Sequence, residues 1–168
     1  MLNITVGTDG ACSGNPGVGG YAIVLQCNDQ EREITGFTVQ KTTNNRMELM
    51  AVLVALKWIK EKQKVPCEIT FLVDSQYVLE GAAHIRDRLK VKDQKVPDWF
   101  SGRPNADVWY QIIDNISSKD TIHFKKVTAH SGHPLNERCD KLAKKACLYA
   151  KEQYQLLEPS TSAGVPAD

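Results

Sequence analysis

Two short runs, "ITVGTD" and "ITFLVD", each end on an aspartate after apolar and β-branched residues, giving Asp9 and Asp74. Runs of that composition form strands, and in open α/β sheets the ligand crevice lies at the carboxyl ends of the strands. If the two strands are neighbours, the two carboxylates meet there. Either aspartate alone reads as the start of a turn or a helix cap; the pair points to a shared acidic site. Glu48, within "TTNNRMELMAVLVAL", is a candidate third member. Its competing role is in a capping box, Asn45-x-x-Glu48, at the positive end of a helix. Asp140 is a candidate fourth. It can pair with Lys144 at i,i+4 as a solvated helix residue, yet it borders the stripe of Leu135, Cys139, Leu142 and Ala146 and so can also face inward.

Carboxylates gathered in one crevice repel one another by roughly 4 kcal/mol per pair at about 4 Å and an effective dielectric near 20. Four of them make six such pairs, so without cations the cluster is expected to be strained or partly protonated. Mg²⁺, a hard ion that prefers oxygen and keeps its waters, relieves this. Two such ions, roughly 3.5–4 Å apart, can clamp the attacking and leaving oxygens of an in-line phosphoryl displacement. His130 and His133 flank Ser131-Gly132 in the polar loop "TAHSGH". His130, in the flexible half, is the better titrating candidate; His133, before Pro134, reads as structural. With Cys139 the histidines suggest zinc, but the spacing fits no common tetrahedral site and a fourth ligand is lacking.

The stretch "GACSGNPGVGG" at residues 10–20 raises a different chemistry. Gly17-Val18-Gly19-Gly20-Tyr21-Ala22 satisfies a loose dinucleotide pattern, which has meaning only when a helix follows to hold the pyrophosphate. Here "YAIVLQC" follows, then the turn cluster "NDQ" and a second strand-like run, so a strand and hairpin partner are expected. The glycines then read as a place where backbone approaches a sugar-phosphate chain closely.

The elements that must position these groups follow from periodicity. Strands are expected at about 3–9, 21–27 and 31–40, then a helix from about Asn45 to Gln63 that is apolar nearly all round, as in a helix buried on more than one side. "EITFLVD" reads as a central parallel strand. "SQYVLEGAAHI" predicts a helix capped by Ser75, "ADVWYQIIDNI" another, "TIHFKKV" a last strand, and about Pro134 to Tyr154 a final helix. Three strands followed by alternating helix and strand predict an α/β domain with a mixed sheet. A catalytic domain over 1–155 and a disordered tail over 156–168 are expected.

At 168 residues, the chain can bury a proper core. Its net charge of +1 excludes no partner class but requires any basic footprint to be local. Five cysteines, odd in number and without a C-x-x-C pair, fit a reducing compartment, so a cytoplasmic location is expected. No signal peptide is evident, and no apolar run approaches the roughly 20 residues of a membrane span.

The blocks "TDGACSGNPGVGGYA", "TTNNRMELMAV", "VDSQYV" and "TAHSGHPLNERCDKLA" closely resemble, in order and spacing, the four blocks of type 1 ribonuclease H, over about residues 3–150. The resemblance implies a ribonuclease H-like fold, a five-stranded mixed sheet flanked by helices. It implies an endonuclease that cuts the RNA strand of RNA–DNA hybrids by a two-metal Mg²⁺ mechanism, with Mn²⁺ as a substitute, leaving 5′-phosphate and 3′-hydroxyl ends. Asp9, Glu48, Asp74 and Asp140 match the metal-binding carboxylates: Asp9 between both ions, Asp140 toward the nucleophilic water, Glu48 and Asp74 toward the leaving oxygen. His130 would assist turnover. The expected partner is the hybrid duplex, with no membrane and no second subunit. The alternatives are a catalytically silent hybrid-binding module and a DNA-processing nuclease of the same fold.

The same resemblance places Asn15 and the Cys12–Ser13 backbone near RNA. It places Asn44, Asn45 and Gln76 at the minor groove, where amides can both donate to and accept from a 2′-hydroxyl. Helix capping and a solvated helix turn are their competing roles. A phosphate of the DNA strand would rest at Thr43 and Asn105, with Lys41 supplying charge but without the fork of an arginine. The family's basic handle falls at about 84–103. Here Arg86, Arg88, Lys90, Lys92 and Lys95 are diluted by Asp87, Asp93 and Asp98, and the interleaved tryptophans are largely missing. Trp99 and Phe100 read as core packing. With a strand starting by Asn3, no separate N-terminal hybrid-binding domain is expected.

Overall fold

Strand and helix periodicities resolve, in a computed structural model describing residues 1–90 (side chains through 86), 98–128 and 131–158, into five strands and four helices. They run β1 Leu2–Ser13, β2 Gly17–Cys27, β3 Gln30–Thr42, α1 Asn44–Lys62, β4 Cys67–Val73, α2 Gln76–Lys90, α3 Ala106–Asp114, β5 Thr121–Lys126 and α4 Pro134–Leu157. The sheet order is β3-β2-β1-β4-β5. β1, β2 and β3 form an antiparallel meander, while β4 and β5 add to β1 in parallel. The expected mixed five-stranded sheet is present, and β1 and β4 are the neighbours that Asp9 and Asp74 require.

Helices cover both faces. The main core joins one face of the sheet to α1, α2 and α3 through Val6, Leu53, Phe71, Phe100 and Trp109. α4 closes the other face over β1, β2 and β3, where Val24, Leu135 and Cys139 pack together. α1 carries nine buried residues over its length and sits between the sheet, α2 and α3, which is why its sequence is apolar nearly all round. Gln63 leaves the helix in extended geometry, three residues before Pro66. Ser75 caps α2, its Oγ accepting from the Val78 N–H at 3.2 Å.

β4 is the central parallel strand expected, buried chiefly on one face: Cys67, Ile69, Phe71 and Val73 are buried while the residues between them are half-buried. α4 lies over β1–β3, so the second face of β4 is incompletely covered. The Gly-rich stretch is almost entirely strand: β1 runs to Ser13 and β2 begins at Gly17, leaving a turn of Gly14–Pro16 with Gly14 at φ 73°. α4 continues to Leu157, past Tyr154; residues 159–168 lie outside the described residues.

Candidate active site

The register of β1 and β4 decides where the first two acids go. Its last pair is Gly7 with Leu72, so Asp9 and Asp74 each lie two residues beyond it at the same sheet end. Glu48 arrives from above. A Cβ built on Gly10 would stand 2.5 Å from the Glu48 backbone nitrogen and 2.7 Å from the Met47 carbonyl carbon. The missing side chain at Gly10 therefore lets α1 rest directly on β1, with Glu48 against Asp9. The glycines of this stretch serve helix packing elsewhere too: a Cβ on Gly20 would lie 2.5 Å from the Cys147 nitrogen of α4.

Glu48 is not a capping residue. The N-cap of α1 is Thr43, whose Oγ1 accepts from the Arg46 N–H at 3.2 Å, and Glu48 is 9% exposed, against 5% for Asp9. Carboxylate oxygens of Asp9, Glu48 and Asp74 can all lie within 4.8 Å of one another, and this is the one such group among the described residues. Burial raises the Asp9 pKa to about 6, with the charges of Asp74 and Asp140 adding and hydrogen bonds from Glu48 and Gly10 opposing. Burial, then the charge of Asp9, then their shared hydrogen bond push Glu48 well above the usual carboxylate range. Each acid raises the proton affinity of the other, as crowded acids without a cation do. The Gly10 N–H donates to Asp9 Oδ1 at 2.9 Å and fixes that side chain.

Asp140 stands at the rim. It is half-buried on α4, lines a groove with Gly10, Ala11, Cys12, Ser13 and Asn44, and accepts from Lys144 Nζ at 3.0 Å. Both sequence readings of Asp140 thus hold: it makes the i,i+4 pair and it faces the acidic cluster closely enough to raise Asp9. Cys139 turns instead into the α4 interface beside Gly7, where burial pushes its thiol up to about 12, which does not suit a zinc ligand. His130 lies outside the described residues. His133, preceding α4, is half-buried with Nδ1 lacking a hydrogen-bond partner.

The predicted nucleic-acid contacts divide into two sets. Asn44 and Asn45 are exposed at the start of α1 and Gln76 is exposed at the start of α2, two residues past Asp74. Asn15 Oδ1 accepts from the Asn44 N–H at 3.1 Å and so ties the β1–β2 turn to α1. Gln76 donates to Glu80 at 3.4 Å. Thr43 and Asn105 lie at a second corner, where two helices begin. Asn105, at φ 64°, donates to the Tyr77 hydroxyl at 3.1 Å and accepts from Arg46 at 3.3 Å. Lys41 lines a different groove, with Ser13, Val18, Lys151 and Tyr154. Arg86 is exposed on α2 and Arg88 and Lys90 fall in its last turn; Lys92 and Lys95 lie outside the described residues. Trp99 stacks on His84 at 4.2 Å and under Arg103 at 3.9 Å, and Phe100 is buried against Trp109, so both aromatics pack inward as expected.

Sequence reasoning passes over Arg46, whose two N–H groups bind Asp107 at 3.0 and 2.6 Å and link α1 to α3. It sits inside the amide-rich block, and the one arginine there is the available signal. It also passes over Lys144 and Lys151 as site residues; only their spacing of seven on one helix hints at a shared face.

Comparison with known proteins gives a consistent picture. The model of the family "RNase H" matches residues 2–148. Ribonuclease H of Nitratidesulfovibrio vulgaris is 42% identical over 151 residues, covering 86% of this chain and 88% of that one. Ribonuclease H of Bartonella quintana is 42% identical, covering 92% and 98%, and ribonuclease HI of Vibrio parahaemolyticus is 40% identical, covering 94% and 98%. Among solved structures, LC9-RNase H1, described as a type 1 RNase H with the type 2 active-site motif, superposes with a TM-score of 0.73 at 23% identity, over 89% of this chain and 74% of that one. LC11-RNase H1 in complex with RNA/DNA hybrid superposes at 0.59 and 22% identity, over 88% and 99%. At those identities the structures speak for the fold.

Proposed function

The chain belongs to the RNase H family and is a ribonuclease acting on RNA–DNA hybrids, and we propose that it cuts the RNA strand at the cluster of Asp9, Glu48, Asp74 and Asp140. One observation carries this assignment: acids from β1, α1 and the end of β4 converge on one point, and the buried pair among them has raised proton affinity. Such a cluster is unfavourable unless cations occupy it, and its all-oxygen donors suit Mg²⁺, or Mn²⁺ in its place. Asp9, Glu48, Asp74 and Asp140 would hold two Mg²⁺ ions, which supply charge neutralisation at the scissile phosphate and an acidified water.

The chain's own groups do the rest. The Gly10 N–H keeps Asp9 Oδ1 oriented, and the α1–β1 contact at Gly10 keeps Glu48 from withdrawing. Asp140, held by Lys144 at the rim, borders the groove through which the strand to be cut reaches the cluster. Asn44, Asn45 and Gln76 present exposed amides that can pair with a 2′-hydroxyl both ways, the feature that separates RNA from DNA. Thr43 and Asn105 offer a corner of two helix starts for a phosphate of the other strand. His130 exchanges a proton with the reacting oxygens, and the products carry 5′-phosphate and 3′-hydroxyl ends.

Incubation with Mg²⁺ and end-labelled RNA–DNA hybrid, duplex DNA, duplex RNA and single-stranded RNA tests the reading. Cleavage of the hybrid's RNA strand alone is expected. Hybrid binding without cleavage would replace it with a silent binding module, and cleavage of duplex DNA with a DNA-processing nuclease.

A further inference from the structure

β5 is the last strand of the sheet, and among the described residues no strand pairs with its outer side. The Val127 N–H donates to the Val73 carbonyl at 2.9 Å, and in a parallel ladder alternate residues turn toward and away from the neighbouring strand. His123 and Lys125 therefore face β4, whereas Ile122, Phe124 and Lys126 present both N–H and C=O to the open edge. Beside that edge runs a groove of about 550 Å³ between β5 and α2. Leu79 and Ala83 of α2, Ile116, and Ile122 and Phe124 of β5 give it an apolar lining, all of them half-buried or exposed. Phe124 is fixed by stacking on Phe71, ring centroids 5.0 Å apart. Lys125 and Lys126 are exposed at one end of the strand and Lys119 precedes the other. The acid that lines the groove, Asp120, already accepts from the Cys67 N–H at 2.9 Å.

We propose that the groove between α2 and β5 docks an extended acidic segment of a partner protein, which adds to the sheet as a sixth strand. Unpaired backbone at a sheet edge recognises another extended backbone, and a groove beside it takes every second side chain. The lysines select acids at the ends of that segment. They also oppose a second copy of this chain, because pairing two β5 edges would bring three lysines from each copy to one interface. Residues 159–168 of the chain itself carry one acid and two prolines, which cannot donate to a ladder. A nucleic acid would use the lysines but neither the apolar lining nor the open backbone. β4 stands between this edge and the strand that carries Asp9, so the docked segment tethers the protein from outside the acidic cluster.

The test titrates the full chain into fluorescein-labelled nonapeptides that alternate threonine with valine, leucine or phenylalanine between two aspartates at each end. Anisotropy reads binding, and amide hydrogen exchange by NMR reads where the peptide lies. Saturable binding of at least one peptide is expected. The amides of Ile122, Phe124 and Lys126 should then exchange at least about tenfold more slowly, while those of His123 and Lys125 stay as they were. The same peptide with alternate backbone amides methylated, or with lysine for aspartate, should bind about tenfold more weakly or worse. Lys126→Glu and Ala83→Trp, which reverses a charge and fills the groove, should weaken binding by a similar factor at unchanged Tm, while Lys62→Glu on α1 matches the parent. Failure of all three peptides to bind overturns the proposal. Binding that survives backbone methylation, or that protects amides elsewhere, overturns strand addition, and indifference to Ala83→Trp overturns the groove. A chain that dimerises alone unless Ala83 is replaced makes a second copy the occupant, and single-stranded DNA that protects the same amides makes the edge a nucleic-acid site; either result overturns the acidic partner.

Discussion

Replacing Asp9 with Asn should abolish cleavage and yet make the metal-free protein more stable above neutrality. In the folded chain the Asp9 pKa moves from 3.8 to about 6, burial being the largest cause and the charges of Asp74 and Asp140 adding to it. Between those values the folded state keeps a proton that the unfolded chain releases, so stability falls as pH rises across the window. At 1.36 kcal/mol per pH unit, the loss is complete above pH 6 and amounts to at most about 3 kcal/mol. Asn carries no charge to strand there; its Oδ1 still accepts from the Gly10 N–H, and its amide can donate to Glu48. For a domain of this size each kcal/mol moves Tm by about 2–4 °C, so the variant should melt up to about 6–12 °C above the parent at pH 8 in chelator. Near pH 4 the two should converge. Mg²⁺ should raise the parent's Tm more than the variant's, because binding to the folded state alone is stabilising. Thermal melts from pH 4 to 8, with EDTA or Mg²⁺, read all of this. A variant that melts below the parent at pH 8 in EDTA, or a difference indifferent to pH, would refute the account of the buried pair.

Asn45→Ala and Gln76→Ala should each weaken the preference for hybrid over duplex DNA more than they lower Tm; matched losses of cleavage and stability would leave both residues a purely structural role in the first turns of α1 and α2. Gly10→Ala would place a methyl group 2.5 Å from the Glu48 backbone nitrogen and should cost about 1–3 kcal/mol while cutting activity, read by melts and cleavage in parallel. His130→Ala should lower kcat on the order of 10²-fold at nearly unchanged KM, as for an acid–base assistant, while His133→Ala should act through stability; kinetics and melting curves on both variants decide which histidine turns over.

Much of this architecture is legible in the sequence because periodicity and burial agree over long segments. An apolar run such as "LMAVLVAL" has one comfortable home, between a sheet and other helices, and α1 is found there. The acidic site is legible for a related reason: a charged residue at the end of a buried strand has to be accounted for, and two such strands are visible. What does not show is set by packing between distant elements. Asn45-x-x-Glu48 has the spacing of a capping box, but the helix is capped two residues earlier, by Thr43, and tertiary packing turns Glu48 inward. The glycines of residues 10–20 look like a ligand-facing loop because a missing side chain in sequence does not say what fills its space. In the fold, helix backbone fills it at Gly10 and Gly20.

That substitution of one role for another explains how the site is held. Asp9 and Glu48 are buried acids in a chain whose interior is otherwise largely apolar, and together they oppose folding at neutral pH. Something must keep them apposed against their own repulsion. The α1 core does so, since eight buried apolar residues anchor the helix while Gly10 removes the atoms that would keep it off β1. The strand register brings Asp74 to the same height. Local rules fail here, with two acids where apolar residues would be more stable, and such failures concentrate where function demands them. The repulsion is therefore stored by the fold and released by cation binding, which makes the scaffold's rigidity part of the site's affinity for its metal.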